Sequence, residues 1–435
     1  MLRFIANIFL GILGLAIVRL YGLALTPLFC LLLVVMPAFA QNYTVVSEST
    51  FGGDVVDIAN DVLQMPSGNF FLAGYTKSIG AGKEDVWLVQ TDESGSLIWQ
   101  KTIGGLENDA CNSMSSLPDG GLILAGYTQS KGSGNTDIWL IRLDAQGTPI
   151  WEHTFGGKDA DKASAVVPTS DGGFGVVGYY FKPKNDQSLY SSDLSPLSVT
   201  GGSVTTLPSS TQRVQALWLI KTNASGSMMW NESFDFAENT SGAAIIEAGD
   251  GSLIVGGNSL SSSRSSEAII IKMSADGEKL WQKNFGSPKW DAMKALSVTT
   301  DGKILAAGTT FSQSAQGDAW VICLDANGTL LWEKIWGSTE NESIEDIELM
   351  PDGRIITLFN IVSPNQKPDL WALTELDAYG NIINTSVFGT HNMQQTHNLC
   401  KTQNDKIAVI GAPTTLRKCY EKGDRNTWLI QVKKE

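Results

Sequence analysis

From Phe51 onward the chain writes one unit seven times, with copies opening at Phe51, Ile103, Phe155, Phe234, Phe285, Trp336 and Phe388. The intervals are 52, 52, 79, 51, 51 and 52 residues, the third lengthened by an insertion of 27. Strict tandem repetition at this period requires that each unit pack against its neighbours, because one unit cannot bury both of its faces. In the second copy, four short runs of alternating polarity (Ala110–Ser116, Leu122–Tyr127, Asp137–Leu143 and Thr148–Thr154) are separated by turn residues. Runs this short, rich in Ile, Leu, Trp and Tyr and bounded by Gly and Asp, read as strands.

Turn chemistry fixes how the strands connect. Pro118-Asp119-Gly120-Gly121 joins the first two and Asp144-Ala145-Gln146-Gly147 the last two. In each, glycine supplies the positive φ that a tight hairpin needs. First-hairpin glycines recur at Gly68, Gly120, Gly172, Gly251, Gly302 and Gly353, with Asn404-Asp405 serving in the seventh copy. Two hairpins in series make a four-stranded antiparallel meander, and no segment has a helical period. The expected fold is therefore all-β: a seven-bladed β-propeller of four-stranded blades. The seventh copy stops at its third strand, Asn426–Glu435, whereas Asn42–Thr50 precedes the first copy as a fourth strand would. The N-terminal strand is expected to complete the last blade and so remove an open sheet edge.

The first 40 residues differ in kind. Met1–Ala40 carries only Arg3 and Arg19 as charges, includes the apolar run Leu23–Val35, and ends Ala38-Phe39-Ala40. That pattern predicts a signal peptide cleaved before Gln41, with an uncleaved anchor as the alternative its length permits. A start near Val18 would give a signal of more usual length. Residues 41–435 form the propeller, interrupted by a Ser/Thr-rich loop at about 181–215. The protein is expected to be exported: secreted, periplasmic or at the cell surface. Without Arg3 and Arg19 the formal charge moves from −14 to −16, and there is no long basic cluster. Nucleic acid is therefore not an expected partner, nor is membrane insertion after leader removal, and the chain is expected to be monomeric.

Seen as TFGG…DGG…AGYT…DIWLIRLDAQG…W, the repeat resembles those of secreted bacterial β-propeller proteins, from Phe51 to the C-terminus. It is also similar to quinoprotein-type propeller repeats, whose Asp…Gly…Trp hairpin docks neighbouring blades. Asp144, Gly147 and Trp151 stand for that pattern here, with a hairpin one residue shorter. Eleven of the thirteen tryptophans fall at repeat positions and are expected to pack between blades. Trp336 replaces the usual Phe, and Trp290 belongs to no repeat position.

Catalytic signatures are sparse. The chain has three histidines and no GxSxG, HExxH or phosphate-loop pattern. A non-catalytic binding protein is the leading expectation, its partner a glycan, a peptide or an envelope protein. A propeller-type enzyme (glycan hydrolase, lyase or quinoprotein) and an envelope-assembly scaffold are the alternatives. Candidate ligand residues are Trp290 and Asp291, the recurring Asp57, Asp109 and Asp161, and the insertion-flanking Tyr180 and Tyr190. The carboxylates either cap the turns entering the inner strands or form an acidic ring able to hold Ca2+; no cofactor is otherwise expected. Asp85, Asp137, Asp318 and Asp369 read as turn anchors ahead of the third strands. Cys400 and Cys419 are expected to form a disulfide, or with His391 and His397 a metal site, while Cys111 and Cys323 are expected as buried thiols.

Overall fold

The computed structural model describes residues 42–183, 213–236, 239–260, 265–363, 370–389, 395–412 and 426–435. The expected leader, most of the 181–215 loop, Tyr190, Asp369, His391 and Cys419 lie outside the described residues. No helix among the described residues is long and apolar enough to cross a membrane.

The described chain is all-β, and its strands group in chain order into four-stranded antiparallel sheets. The first comprises Asp57–Gln64, Phe70–Thr76, Asp85–Thr91 and Leu97–Ile103, and the second Asp109–Ser116, Leu122–Thr128, Asp137–Leu143 and Pro149–Phe155. The third runs Lys162–Pro168, Phe174–Pro183, Arg213–Thr222 and Met228–Phe234, and the fourth Asn239–Glu247, Leu253–Leu260, Ser266–Met273 and Lys279–Phe285. One parallel bridge, Gln215 to Asn239, links these two. The fifth holds Asp291–Val298, Ile304–Thr310, Asp318–Leu324 and Leu330–Trp336, and the sixth Asn341–Leu349, Ile355–Val362, Leu370–Leu376 and Ile382–Phe388. In the seventh, Gln395–Lys401, Lys406–Ala412 and Thr427–Lys434 are joined by Tyr43–Phe51 from the other end of the chain. That strand pairs antiparallel with Thr427–Lys434, from Tyr43 opposite Lys434 to Phe51 opposite Thr427.

Turn chemistry acts where the sequence places it. Gly120 and Gly147 adopt φ of 82° and 73°, and Asp405, in the seventh first-hairpin turn, has φ of 54°. It is the one described non-glycine residue with positive φ, a conformation Asp tolerates better than most residues. Asp144 Oδ1 accepts from the Gln146 and Thr148 amides at 2.9 and 2.7 Å, closing the second hairpin as an Asx turn.

Packing lies between sheets, because each sheet has two apolar faces. Seven buried clusters each draw on two adjacent sheets, for example Phe71 and Leu88 of the first with Leu124 and Trp139 of the second. One combines Phe70, Leu72 and Trp87 of the first sheet with Ala408, Ile410 and Leu429 of the seventh. Outer-strand tryptophans reach the next sheet's hairpin: Trp230, Trp281 and Trp332 donate Nε1–H to the Ala275, Ala326 and Ala378 carbonyls at 2.9–3.2 Å. A Cβ on Gly147 would lie 2.5 Å from the Trp99 ring, so that glycine answers to its neighbour as well as to its own turn. Three third-strand tryptophans instead donate to the polar residue 13 positions on, whereas the Nε1–H of Trp139 and Trp371 is buried without a partner. Trp87 meets Gln100 at 3.1 Å, Trp218 meets Asn231 at 3.0 Å and Trp320 meets Glu333 at 2.7 Å.

Trp371 departs from the third-strand pattern. In the first, second, third, fifth and seventh sheets the third-strand Trp faces a second-strand Gly, as Trp139 faces Gly126. In the sixth, Phe359 faces Ala372 and Trp371 has slid to face Asn360. The large–small pair is inverted, and Trp371 stacks on Phe388 at 4.1 Å instead.

Candidate functional site

A single register feature builds the wall of the cavity described below. In every inner strand the pairing slips by one residue beside the second strand: between Ala59 and Asp61, Cys111 and Ser113, Ala163 and Ala165, Gly242 and Ala244, Met293 and Ala295, Ile344 and Asp346, and Thr396 and Asn398. Such a β-bulge leaves one residue unpaired and re-aims side chains. The unpaired residues are Asn60, Asn112, Ser164, Ala243, Lys294, Glu345 and His397, and all seven line one channel-like cavity of about 680 Å³. Tyr179, Gln215, Asn258, Trp290 and Thr309 line it as well.

The bulges also tie sheet to sheet. Asn60 Nδ2 donates to the Cys111 carbonyl and Asn112 Nδ2 to the Ala163 carbonyl, both at 2.7 Å. One residue further on, Asp61 accepts from the Met114 amide at 2.6 Å and Asp346 from the Leu399 amide at 3.1 Å. Asp346 also accepts from its neighbour Ile347 at 2.8 Å. Burial pushes the Asp61 carboxyl up to about 6, against the main-chain donors that lower it. It pushes Asp346 up to about 8, helped by the negative charges of Glu348 and Asp61. Lys294 Nζ pairs with Glu345, and His397 Nε2 is buried without a partner. Burial and then the Lys294 charge hold the His397 imidazole down to about 4.

The Asp346 shift has a sign that can be measured. A carboxyl raised above its unfolded value keeps its proton in the fold, so the stability it confers is present at low pH. That stability is lost as pH rises from about 4 towards about 8. Asp346→Asn should therefore gain in melting temperature relative to the parent by several degrees between pH 5 and pH 8. Parallel melting curves across that range would show that Asp346 is ionised in the fold.

The sequence-predicted carboxylates sit elsewhere. Asp57, Asp109 and Asp291 open inner strands and Asp161 immediately precedes one; all four are no more than 2% exposed. Asp57 Oδ2 accepts from the Gly53 amide and Ser78 Oγ, both at 2.6 Å, and Asp109 Oδ2 accepts from the Gly105 amide at 2.8 Å and Ser130 Oγ at 2.7 Å. Asp161 accepts from the Gly157 amide at 2.7 Å, and Asp291 from the Ser287 amide and Thr310 Oγ1. Each carboxylate latches the connection between sheets onto its own sheet, and Glu342 does so in the sixth through Ser338 at 3.0 Å. Asp85 and Asp137 anchor the Gly82 and Ser133 amides at 3.0 Å. Among the described residues no cluster of three or more His, Cys, Asp or Glu side chains could hold a metal ion.

Tyr180 turns away from the cavity. It is 8% exposed and packs on Trp218 with ring centres 5.1 Å apart, whereas Tyr179 lines the channel. Successive strand residues face opposite ways, which is why only one of the two neighbouring tyrosines lines the cavity. Trp290 is 41% exposed at the channel, its ring edge-on to Phe311 at 5.6 Å. Its main chain bridges Ser266 and accepts from the Phe311 amide at 3.1 Å. Cys111 and Cys323 are buried thiols, and Cys400 is not joined to another described cysteine.

Residues 117–149 and 299–330 match the model of a family described as a domain of unknown function (DUF5122) beta-propeller. The regulatory protein FlaEY of Caulobacter vibrioides is 25% identical over 289 residues, which are 62% of this chain and 28% of that protein. The chain thus spans less than a third of the length of this curated relative. Among solved structures, the Neurospora crassa Pan2 WD40 domain superposes with a TM-score of 0.50 at 10% identity, covering 90% of this chain and 96% of that one. A puromycin hydrolase S511A mutant complexed with PGG gives 0.50 at 12% identity, covering 83% and 50%. Together with four-stranded antiparallel sheets packed in series, these likenesses give the fold: the chain is a β-propeller.

Proposed function

We propose that the sheets are seven blades of one ring, completed by Tyr43–Phe51, and that the protein is exported and binds its ligand non-catalytically at the central channel. Closure is supported by the pairing of Tyr43–Phe51 with Thr427–Lys434 and by the core shared between the first and seventh sheets. Binding rests on one observation above the others: Trp290, outside the repeat, presents a partly exposed ring at the cavity while its main chain does the structural stitching. Exposed aromatic faces beside polar groups are what small polar ligands and peptide side chains pack on.

Binding is favoured over catalysis by how the channel carboxylates are used. Asp61 and Asp346 accept main-chain amides of the neighbouring sheet, which commits them to holding sheets together. The test is Trp290→Ala on glycan and peptide arrays, with melting curves alongside. Binding should fall about tenfold or more, while the lost edge-to-face pair should cost only about 1 kcal/mol. Unchanged binding with a clearly lowered melting temperature would make Trp290 a packing residue and overturn the assignment.

A further inference from the structure

We propose that the outer strand Leu330–Trp336 of the fifth sheet, with Tyr379 beside it, is a docking edge for a basic protein segment in extended conformation. This surface is separate from the cavity, and the inference does not depend on what the cavity binds.

The edge of a sheet can accept another strand, and native chains usually cover it or charge it. Each outer strand here pairs on one side only. Yet among the described residues, eleven of the nineteen exposed large hydrophobics fall within the first four positions of an outer strand. Leu97 and Ile98, Leu330 and Leu331, and Ile382 and Ile383 are such pairs. Apolar residues scattered singly need no explanation, but these return at one position of the repeat. Adjacent strand residues face opposite ways, so each pair flanks its open edge on both faces.

At the fifth sheet an aromatic ring joins the pair. Leu330 stands two positions before Trp332 and therefore on the same face. Trp332 Nε1 donates to the Ala378 carbonyl at 3.2 Å, and a Cβ on Gly380 would lie 2.6 Å from its ring. Between those two contacts lies Tyr379, 79% exposed. Leu330, Trp332 and Tyr379 thus make an apolar surface along an unpaired strand edge. A sheet takes an added strand at such a place, main-chain hydrogen bonds supplying affinity and side-chain contacts selectivity.

Charge selects the occupant. The outer strands and the hairpins leading into them carry eleven carboxylates against four lysines. Around the fifth outer strand stand Asp325, Glu333 and Asp377 against Lys334. Hydrogen bonds, from the Thr329 amide to Asp325 and from the Asn381 side chain to Asp377, hold both carboxyls below the usual carboxylate range. A second copy of this chain or an anionic lipid surface would bring like charge to the edge, which is costly. A segment that alternates basic and apolar residues fits both faces: its apolar side chains meet Leu330 and Tyr379, and its basic ones, pointing the other way, meet Glu333.

The experiment uses the full chain, expressed with its own leader in an exporting host. Fluorescence anisotropy measures binding of a labelled decapeptide that alternates Lys and Val, beside a Glu–Val counterpart and a peptide with the same Lys and Val in two blocks. The alternating Lys–Val peptide should bind, and its affinity should fall about tenfold or more between about 50 and 500 mM salt. Leu330→Ser combined with Tyr379→Ser should weaken it at least about tenfold, whereas Trp290→Ala should leave it unchanged. The double variant should melt with the parent, because both side chains are exposed. No binding of the Lys–Val peptide, equal binding of the Glu–Val or block peptide, parental affinity in the folded double variant, or loss of binding in Trp290→Ala would each overturn the inference. So would a dimer of the protein alone that Leu330→Ser dissociates, or binding of phosphatidylglycerol vesicles in place of the peptide.

Discussion

Deleting residues 43–51 should destabilise the protein by about 5 kcal/mol or more and drive it into aggregates, by removing a complete strand and its anchors. Tyr43 and Phe51 are 5% and 7% exposed, and truncating one such buried aromatic alone costs about 3–5 kcal/mol. The strand's loss also reaches the sixth sheet. The Tyr43 amide donates to Ser386 Oγ at 3.0 Å, and its hydroxyl meets Glu375 at 3.4 Å. Glu375 is fully buried and shared with Lys434 at 2.8 Å and Arg354 at 3.1 Å. Thr427–Lys434 would then become an exposed edge of mostly buried, apolar residues. The measurements are calorimetric melting and size exclusion, with Tyr43→Ala as the milder variant. A deletion that melts with the parent and stays monomeric would show that Tyr43–Phe51 does not pair as described.

What repeats in a sequence is legible; what the repeat varies is not. The strand order, both hairpins and the N-terminal strand's partner could be read because Gly, Asp and Trp return at fixed intervals for local reasons. The recurrence of Asp57, Asp109, Asp161 and Asp291 came from the same source, for they latch turns and are buried by the work. The channel-lining residues recur in position but not in kind, running Asn60, Asn112, Ser164, Ala243, Lys294, Glu345, His397. A search for repeated identities passes over them. The signal that could have found them is the bulge itself, whose trace is the second-strand glycine facing the inner strand. Tyr180 shows a finer limit: a strand's parity decides which of two adjacent tyrosines faces the cavity. Trp371 keeps its distance from Asp369, yet it lies nine residues before Gly380 where Trp139 lies eight before Gly147. That extra residue slides the indole past its slot.

Gly126→Ala should cost more than about 3 kcal/mol, against a usual gain of about 0.5–1 kcal/mol for replacing a strand glycine by alanine. Its backbone is not left-handed, so the reason is space. A Cβ there would lie 2.0 Å from the Ala110 carbonyl oxygen and 2.9 Å from Cys111 Cα. Both are main-chain atoms of the inner strand, just ahead of the Cys111–Ser113 slip. Relief would require flattening the bulge, and that would withdraw Asn112 from the channel and from the Ala163 carbonyl. Stability and ligand binding should therefore fall together. The sixth sheet shows the circumstances in which a larger residue is admitted: Phe359 occupies the glycine position where Ala372, not Trp, stands opposite. Trp139→Ala placed alongside Gly126→Phe copies that arrangement into the second sheet, and the pair should be at least about 1 kcal/mol less damaging than the sum of the two singles. Parental melting of Gly126→Ala would mean that the inner strand yields without cost, and that the bulge does not hold the channel's side chains in place.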